Sequence, residues 1–178
     1  MASPKKSNVM RLLEARHIPY QAYTYSAEIR SAEDVAQVLG VPAHQVLKTL
    51  VVLPTRGKPL LVIIPGPCAL DLKRLAHALG EKRLRMATQK EAEALTGLQV
   101  GGISALALLD RGFRIYVDRA AAGLAAVIVS AGQRGMNLRL RTADFVRVTQ
   151  ARLVAAAVDP PHMRRADTFH GDDEGDQR

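Results

Sequence analysis

Apolar residues recur three to four positions apart in some stretches of this chain and gather in short β-branched runs in others. Val9, Leu12 and Leu13 share one face of a helix predicted over residues 7–16, which His17-Ile18-Pro19 ends because proline gives the helical ladder no N–H. A strand is expected over 19–25. Ser31 can cap the next helix while Asp34 reaches back in a capping box, and Gly40 after Leu39 supplies its left-handed stop. The runs 47–53 and 60–65, joined by Thr55-Arg56-Gly57-Lys58, read as a hairpin. A helix over 71–79 should stop at Gly80, a short strand should span 84–87, and a helix from Thr88, with Glu91 as its capping-box partner, should run to Thr96-Gly97. Strands are then expected near 106–109, 113–118, 126–130 and 136–141, and a final helix from Thr142. Helices interleaved this irregularly do not give the strict alternation of a doubly wound parallel sheet, so the pattern favours an α+β domain whose mixed sheet closes on itself.

The ends behave differently. Residues 1–7 read as a flexible N-terminus, and 159–178, opened by Asp159-Pro160-Pro161, as a disordered acidic tail, leaving 8–158 as one folded domain. The chain has 178 residues, 48% of them hydrophobic and 24% charged, which suits a single globular core. Its net charge of +8 is unevenly divided, because six carboxylates face three arginines in the tail and +11 is left on residues 1–158. A body this basic should attract polyanions, nucleic acid first, although Lys and Arg also serve simply to solubilise an alanine-rich chain. With four Tyr, three Phe and no Trp, phosphate contact is expected rather than broad base stacking. No apolar run is long enough to cross a membrane and the start lacks a secretory pattern, so a cytoplasmic location is expected.

Several chemistries are disfavoured by what the chain lacks. It carries no phosphate-binding G-x-x-x-x-G-K-[ST] loop, no G-x-S-x-G elbow and no dinucleotide fingerprint after a strand. His17, His44, His77, His162 and His170 show no metal-ligand spacing, and the lone Cys68 does not complete a zinc site, so no metal is expected. Cys68 reads as a packed thiol rather than a nucleophile.

Three segments place polar or glycine residues where a plain core would not want them. Lys48 lies inside Val46-Leu47-Lys48-Thr49-Leu50-Val51-Val52, where it either points to water or is held inward for a purpose. Gly97-Leu98-Gln99-Val100-Gly101-Gly102-Ile103-Ser104 is either a tight turn or a loop whose bare N–H groups approach a ligand. Val127-Ile128-Val129-Ser130-Ala131-Gly132-Gln133-Arg134-Gly135 is a strand that ends in a hydroxyl and a basic turn.

In this order, together with His17-Ile18-Pro19-Tyr20, Tyr25, Leu70-Asp71-Leu72-Lys73 and Thr96-Gly97, these segments resemble the YbaK/ProX family of aminoacyl-tRNA editing domains over residues 11–148. The resemblance implies a mixed, largely closed six- or seven-stranded barrel-like sheet flanked by helices, with a cofactor-free pocket for an aminoacyl-adenosine end. It further implies a trans-editing deacylase of mischarged aminoacyl-tRNA, Cys-tRNA(Pro) first and Ser-, Thr- or Ala-tRNA next, with prolyl-tRNA synthetase as a possible partner. Carried over by position, Lys48 is the pocket lysine and Gly101 and Gly102 present backbone groups to the ester. Tyr25, Ile103, Ser104 and Ser130 line the substrate, and Arg134 belongs to a phosphate-facing rim. Relatives that handle cysteine are thought to use the substrate's own thiol, and others a water. Ala105 stands where many members carry proline, which bears on the choice of amino acid. The alternative is a tRNA- or synthetase-binding module of the same fold without catalysis.

Overall fold

The computed structural model describes residues 5–160. Most of the segment expected to form an acidic tail therefore lies outside the described residues. The elements follow in the order α1 (Asn8–Ala15), β1 (Gln21–Thr24), α2 (Ala32–Leu39), β2 (Leu47–Pro54), β3 (Leu60–Pro65), β4 (Ala69–Leu70), α3 (Leu72–Leu79), β5 (Leu84–Met86) and α4 (Gln89–Thr96). After these come β6 (Arg114–Asp118), α5 (Arg119–Ala122), β7 (Ala126–Ser130), β8 (Met136–Arg141), α6 (Thr142–Thr149), β9 (Arg152–Val154) and β10 (Ala157–Val158).

Local chemistry sets most of the boundaries. Ser7 caps α1 by accepting from the Met10 N–H, and Lys6 just before it pairs with Glu14 at 2.9 Å. Ser31 caps α2 through the Asp34 N–H, although the return contact expected from Asp34 is not made. Thr88 and Glu91 form the full capping box at α4, and Gly40, Gly80 and Gly97 end their helices in the left-handed conformation. The apolar run expected as a strand near 106–109 is instead a 3-10 turn, Ala105–Ala107. Ala105 occupies its first position, where a proline would be tolerated, so the turn forms without the ring.

The described strands form three open sheets, and this corrects the expectation of a largely closed one. A five-stranded sheet runs β5-β2-β3-β6-β9, antiparallel from β5 to β3 and parallel from β3 through β6 to β9. A three-stranded antiparallel sheet runs β1-β8-β7, and β10 pairs with β4. The first two sheets meet at one parallel bridge, Val46 to Ile128, and no ladder continues from it. Beyond that bridge β2 pairs with β5 only from Val52 to Pro54, which leaves the edge of β2 unladdered over the residues before Val52. A cavity fills that opening, and closure fails there.

Burial follows from the layering. Leu47, Val51, Leu61, Ile63 and Val117 of the larger sheet pack against Val127, Val129, Leu138 and Leu140 of the smaller one, and α1 and α6 close this core with Leu13 and Phe145. The opposite face of the larger sheet, with Val52, Leu60, Val62 and Ile64, is covered by Leu75 and Ala76 of α3. All six residues of β3 are buried because both of its faces are covered. Each large aliphatic side chain withdrawn in this way contributes roughly 1.5–3 kcal/mol.

Candidate functional site

The cavity where the sheet fails to close has a volume of about 440 Å³, within the size range of small-molecule sites. Its floor is the open edge of β2, and Lys48, half-buried, lines it from that strand. Across from β2 stand Ser130 at the end of β7 and Asn137 on β8. The first turns of α2 and α4 border the opening with Ser31 and Thr88, so the partial positive charge of two helix N-termini falls on it.

Tyr25 closes one side. Its N–H donates to Gly135 O at 3.0 Å, extending the β1–β8 pairing by one step, and its hydroxyl donates to Asn137 Oδ1 at 2.8 Å. Burial pushes the Tyr25 phenol up to about 12, so it stays neutral and a donor. Asn137 was not legible as a site residue. In Met136-Asn137-Leu138-Arg139-Leu140-Arg141 it alternates with apolar residues exactly as the exposed Arg139 and Arg141 do, yet it is 5% exposed. The only sequence signal was a neutral polar side chain in a series of arginines.

The glycine loop forms the other side. Gly101, at φ 94°, lines the cavity, and its N–H takes no partner among the described residues. The preceding residue is gripped from two directions: Glu93 of α4 accepts the Val100 N–H at 3.0 Å, and Arg134 Nε donates to Val100 O at 2.7 Å. The Val100 N–H bond, with Gln89 and then the Arg134 and Arg30 charges, holds the Glu93 carboxyl below the ordinary carboxylate range.

Gly102, expected to present its backbone to the ester, lies outside the cavity lining. Its N–H donates to Gln99 O at 2.8 Å, and a Cβ there would lie 2.8 Å from both Arg134 N and Gln133 C, so the bare backbone permits two loops to touch.

Of the remaining expected residues, Ile103 supplies an apolar wall and Ser130 Oγ accepts from the Gly132 N–H at 3.2 Å, leaving its own proton free. Ser104 is buried behind the wall, 2% exposed with no hydrogen-bond partner for its hydroxyl, and does not line the cavity. Arg134 also stays outside the lining but touches Gly101 with its side chain. Arg30, which sequence reasoning passed over, lines the rim and lies beside Gly101. It carried no signal because an exposed arginine in a loop before a helix is ordinary. Cys68 is buried as expected; burial first, then Asp159 and Asp118, raises its thiol pKa against the opposing effect of Lys48.

Among the described residues the lining thus holds two cations, Lys48 and Arg30, one carboxylate, Glu33, a neutral phenol, hydroxyls and an unbonded glycine N–H, and no His, Cys or Asp. Such a set can hold an anionic group and donate hydrogen bonds, and among the described residues it offers no side-chain pair for nucleophilic catalysis. These features define a binding cavity with a cationic rim.

The sequence profile of the aminoacyl-tRNA editing domain matches residues 26–148, and the chain belongs to that family. It is 38% identical over 147 residues, 82% of this chain and 89% of the other, to a protein of Enterococcus faecalis named as a candidate Cys-tRNA(Pro)/Cys-tRNA(Cys) deacylase, EbsC. It is 31% identical over 64% of its length to a proline–tRNA ligase of Pelobacter propionicus, of which it spans 20%. Among solved structures, one described as a candidate trans-editing enzyme for prolyl-tRNA synthetase superposes with a TM-score of 0.71 at 26% identity, covering 89% of this chain and 99% of that one. No helix among the described residues is long and apolar enough to cross a membrane.

Proposed function

We propose that this protein is a trans-editing hydrolase that deacylates mischarged aminoacyl-tRNA, with Cys-tRNA(Pro) the favoured substrate and Ser-, Thr- or Ala-tRNA further ones. The observation that carries the proposal is the cavity itself, in which a strand-borne ammonium and a glycine N–H without a partner among the described residues border one volume lined by no His or Cys. An aminoacyl ester needs no strong activation, so positioning and oxyanion stabilisation supply most of the catalysis.

In this reading Lys48, with Arg30 and Arg134 at the rim, holds the terminal phosphodiester, and the Gly101 N–H donates to the carbonyl oxygen as it becomes an oxyanion. Tyr25, fixed by Asn137, and Ser130 set the opposite side, and Ile103 packs against the substrate's apolar surface. Gly102 serves the site by letting the two loops close up, and Ser104 by filling space behind them. With cysteine, the substrate thiol attacks its own carbonyl: a C–S bond forms, the ester C–O bond breaks, and the proton passes to the leaving ribose oxygen. Water then opens the resulting thiolactone. Where the amino acid carries no thiol, water attacks the carbonyl and the ester C–O bond breaks with the proton passing to the ribose oxygen.

The basic body gives tRNA a sequence-independent attraction, and prolyl-tRNA synthetase is the partner that would present the mischarged product, in the cytoplasm. The test is a deacylation assay over a panel of charged tRNAs, with and without that synthetase. Release of cysteine from tRNA(Pro) faster than from the other pairs is expected. If the folded protein cleaves no pair faster than buffer, the enzyme reading fails.

A further inference from the structure

Outside the cavity, three potential metal ligands of different chemistry converge. His44, Cys68 and Asp159 each offer one ligand atom, and these atoms all lie within 4.8 Å of one another. None of the three lines the ester cavity. We propose that they form a site for one divalent transition-metal ion of the zinc class, which ties Asp159 to the turns that carry His44 and Cys68.

Main-chain contacts bring the three segments together without help from an ion. His44 sits in the middle of the 3-10 turn Ala43–Gln45. Gly66 packs directly on that turn: its N–H donates to Val46 O at 2.8 Å, and a Cβ there would stand 2.9 Å from the same oxygen and 2.7 Å from Ala32 Cβ. Two residues on, the Cys68 N–H donates to Pro65 O at 3.0 Å, which turns the thiol back toward His44. On the other side β10 pairs antiparallel with β4, Val158 opposite Ala69, and the same register carried one step further sets Asp159 opposite Cys68.

Zinc bonds to sulfur, nitrogen and oxygen at about 2.0–2.3 Å, which puts tetrahedral ligand atoms roughly 3.3–3.8 Å apart. Cys68 is buried and fixed, whereas His44 and Asp159 are exposed and can turn inward by that difference. One thiolate, one imidazole and one carboxylate suit zinc, while calcium and magnesium seek oxygen alone. Three protein ligands leave the fourth position to water. On binding, the ion's charge displaces the thiol proton to solvent. Sequence spacing could not reveal this set, because its members meet only across the turn after β3 and the β10–β4 pair.

The test is calorimetric titration of the reduced full-length chain with Zn2+, alongside thermal unfolding and the rate of Cys68 alkylation by iodoacetamide. One equivalent should bind, raise the melting temperature and slow alkylation; His44→Ala and Cys68→Ser should each weaken binding roughly tenfold or more, Asp159→Asn less. His44 is exposed, so His44→Ala keeps the test decisive should Cys68→Ser disturb packing. Absence of saturable binding, or binding and alkylation protection that persist unchanged in His44→Ala, overturns the proposal.

Discussion

The two walls of the cavity are built on different principles. Lys48 belongs to a strand whose position is set by a six-residue register with β3 and by a core packed on both faces of the sheet. Gly101 belongs to a loop between α4 and a 3-10 turn, and its position is set by two side chains, Glu93 and Arg134, that hold Val100 by its N–H and its carbonyl. One wall is placed by a strand register and a packed core; the other is placed by a few polar bonds. A functional group on the first can be removed with little structural consequence, whereas the second should respond to changes in residues that never touch substrate.

The largest effect expected is on the strand wall. Lys48→Ala should slow deacylation by about 100-fold or more while leaving stability within roughly 0.5 kcal/mol, because the half-buried side chain contributes charge rather than packing. Parallel deacylation and thermal-unfolding measurements check this, and equal losses in both would dissolve the distinction between the walls. Next comes Gly102→Ala, whose methyl meets the Gln133–Arg134 backbone; it should cost about 1–3 kcal/mol of stability and displace Gly101, lowering the rate as well.

Glu93→Ala should lower the rate roughly tenfold, mainly through kcat, and Glu93→Gln, which keeps an acceptor for Val100, should restore most of it. Since the Glu93 carboxyl is held below its unfolded value, its contribution is in place above the ordinary carboxylate range. That contribution is lost only as pH falls through the depressed folded value. Deacylation by the wild type should therefore keep its loop-dependent rate at mildly acidic pH, and a loss already near neutrality would separate Glu93 from the loop. The smallest effect belongs to Tyr25→Phe, which leaves the buried Asn137 oxygen without its donor and should cost about 1 kcal/mol in unfolding experiments.

What could be read from the sequence follows the same division. The stops at Gly40, Gly80 and Gly97, the caps at Ser31 and Thr88 and the hairpin of β2 and β3 are local devices, complete within a few residues, and all appear in the structure. The open edge of β2 was not legible, since whether a sheet closes depends on where β7 diverges from Val46, a long-range matter. Asp118 makes the same point from the core. Its carboxylate accepts the N–H groups of Ala120, Ala156 and Ala157, fastening β10 to the sheet, and nothing in the pattern of residues around it announces those partners. The 3-10 turn at Ala105–Ala107 stands where a strand is expected because a buried apolar run of this length fits either.

Lys48, Tyr25, Gly101, Ile103 and Ser130, expected from segments that resemble those of a known family in order as well as in composition, all line the cavity. Arg30, Asn137 and Glu93 could not be found that way. Each is an ordinary residue in its local setting and acquires its place only when a second segment arrives.

The most direct test of the account is the structure of the protein bound to a non-hydrolysable amide analogue of 3′-cysteinyl-adenosine. The carbonyl oxygen of the analogue should lie within hydrogen-bond distance of the Gly101 N–H, with the ribose and its phosphate side toward Lys48. An analogue that binds elsewhere, or that enters the cavity with its carbonyl turned away from Gly101, would contradict it.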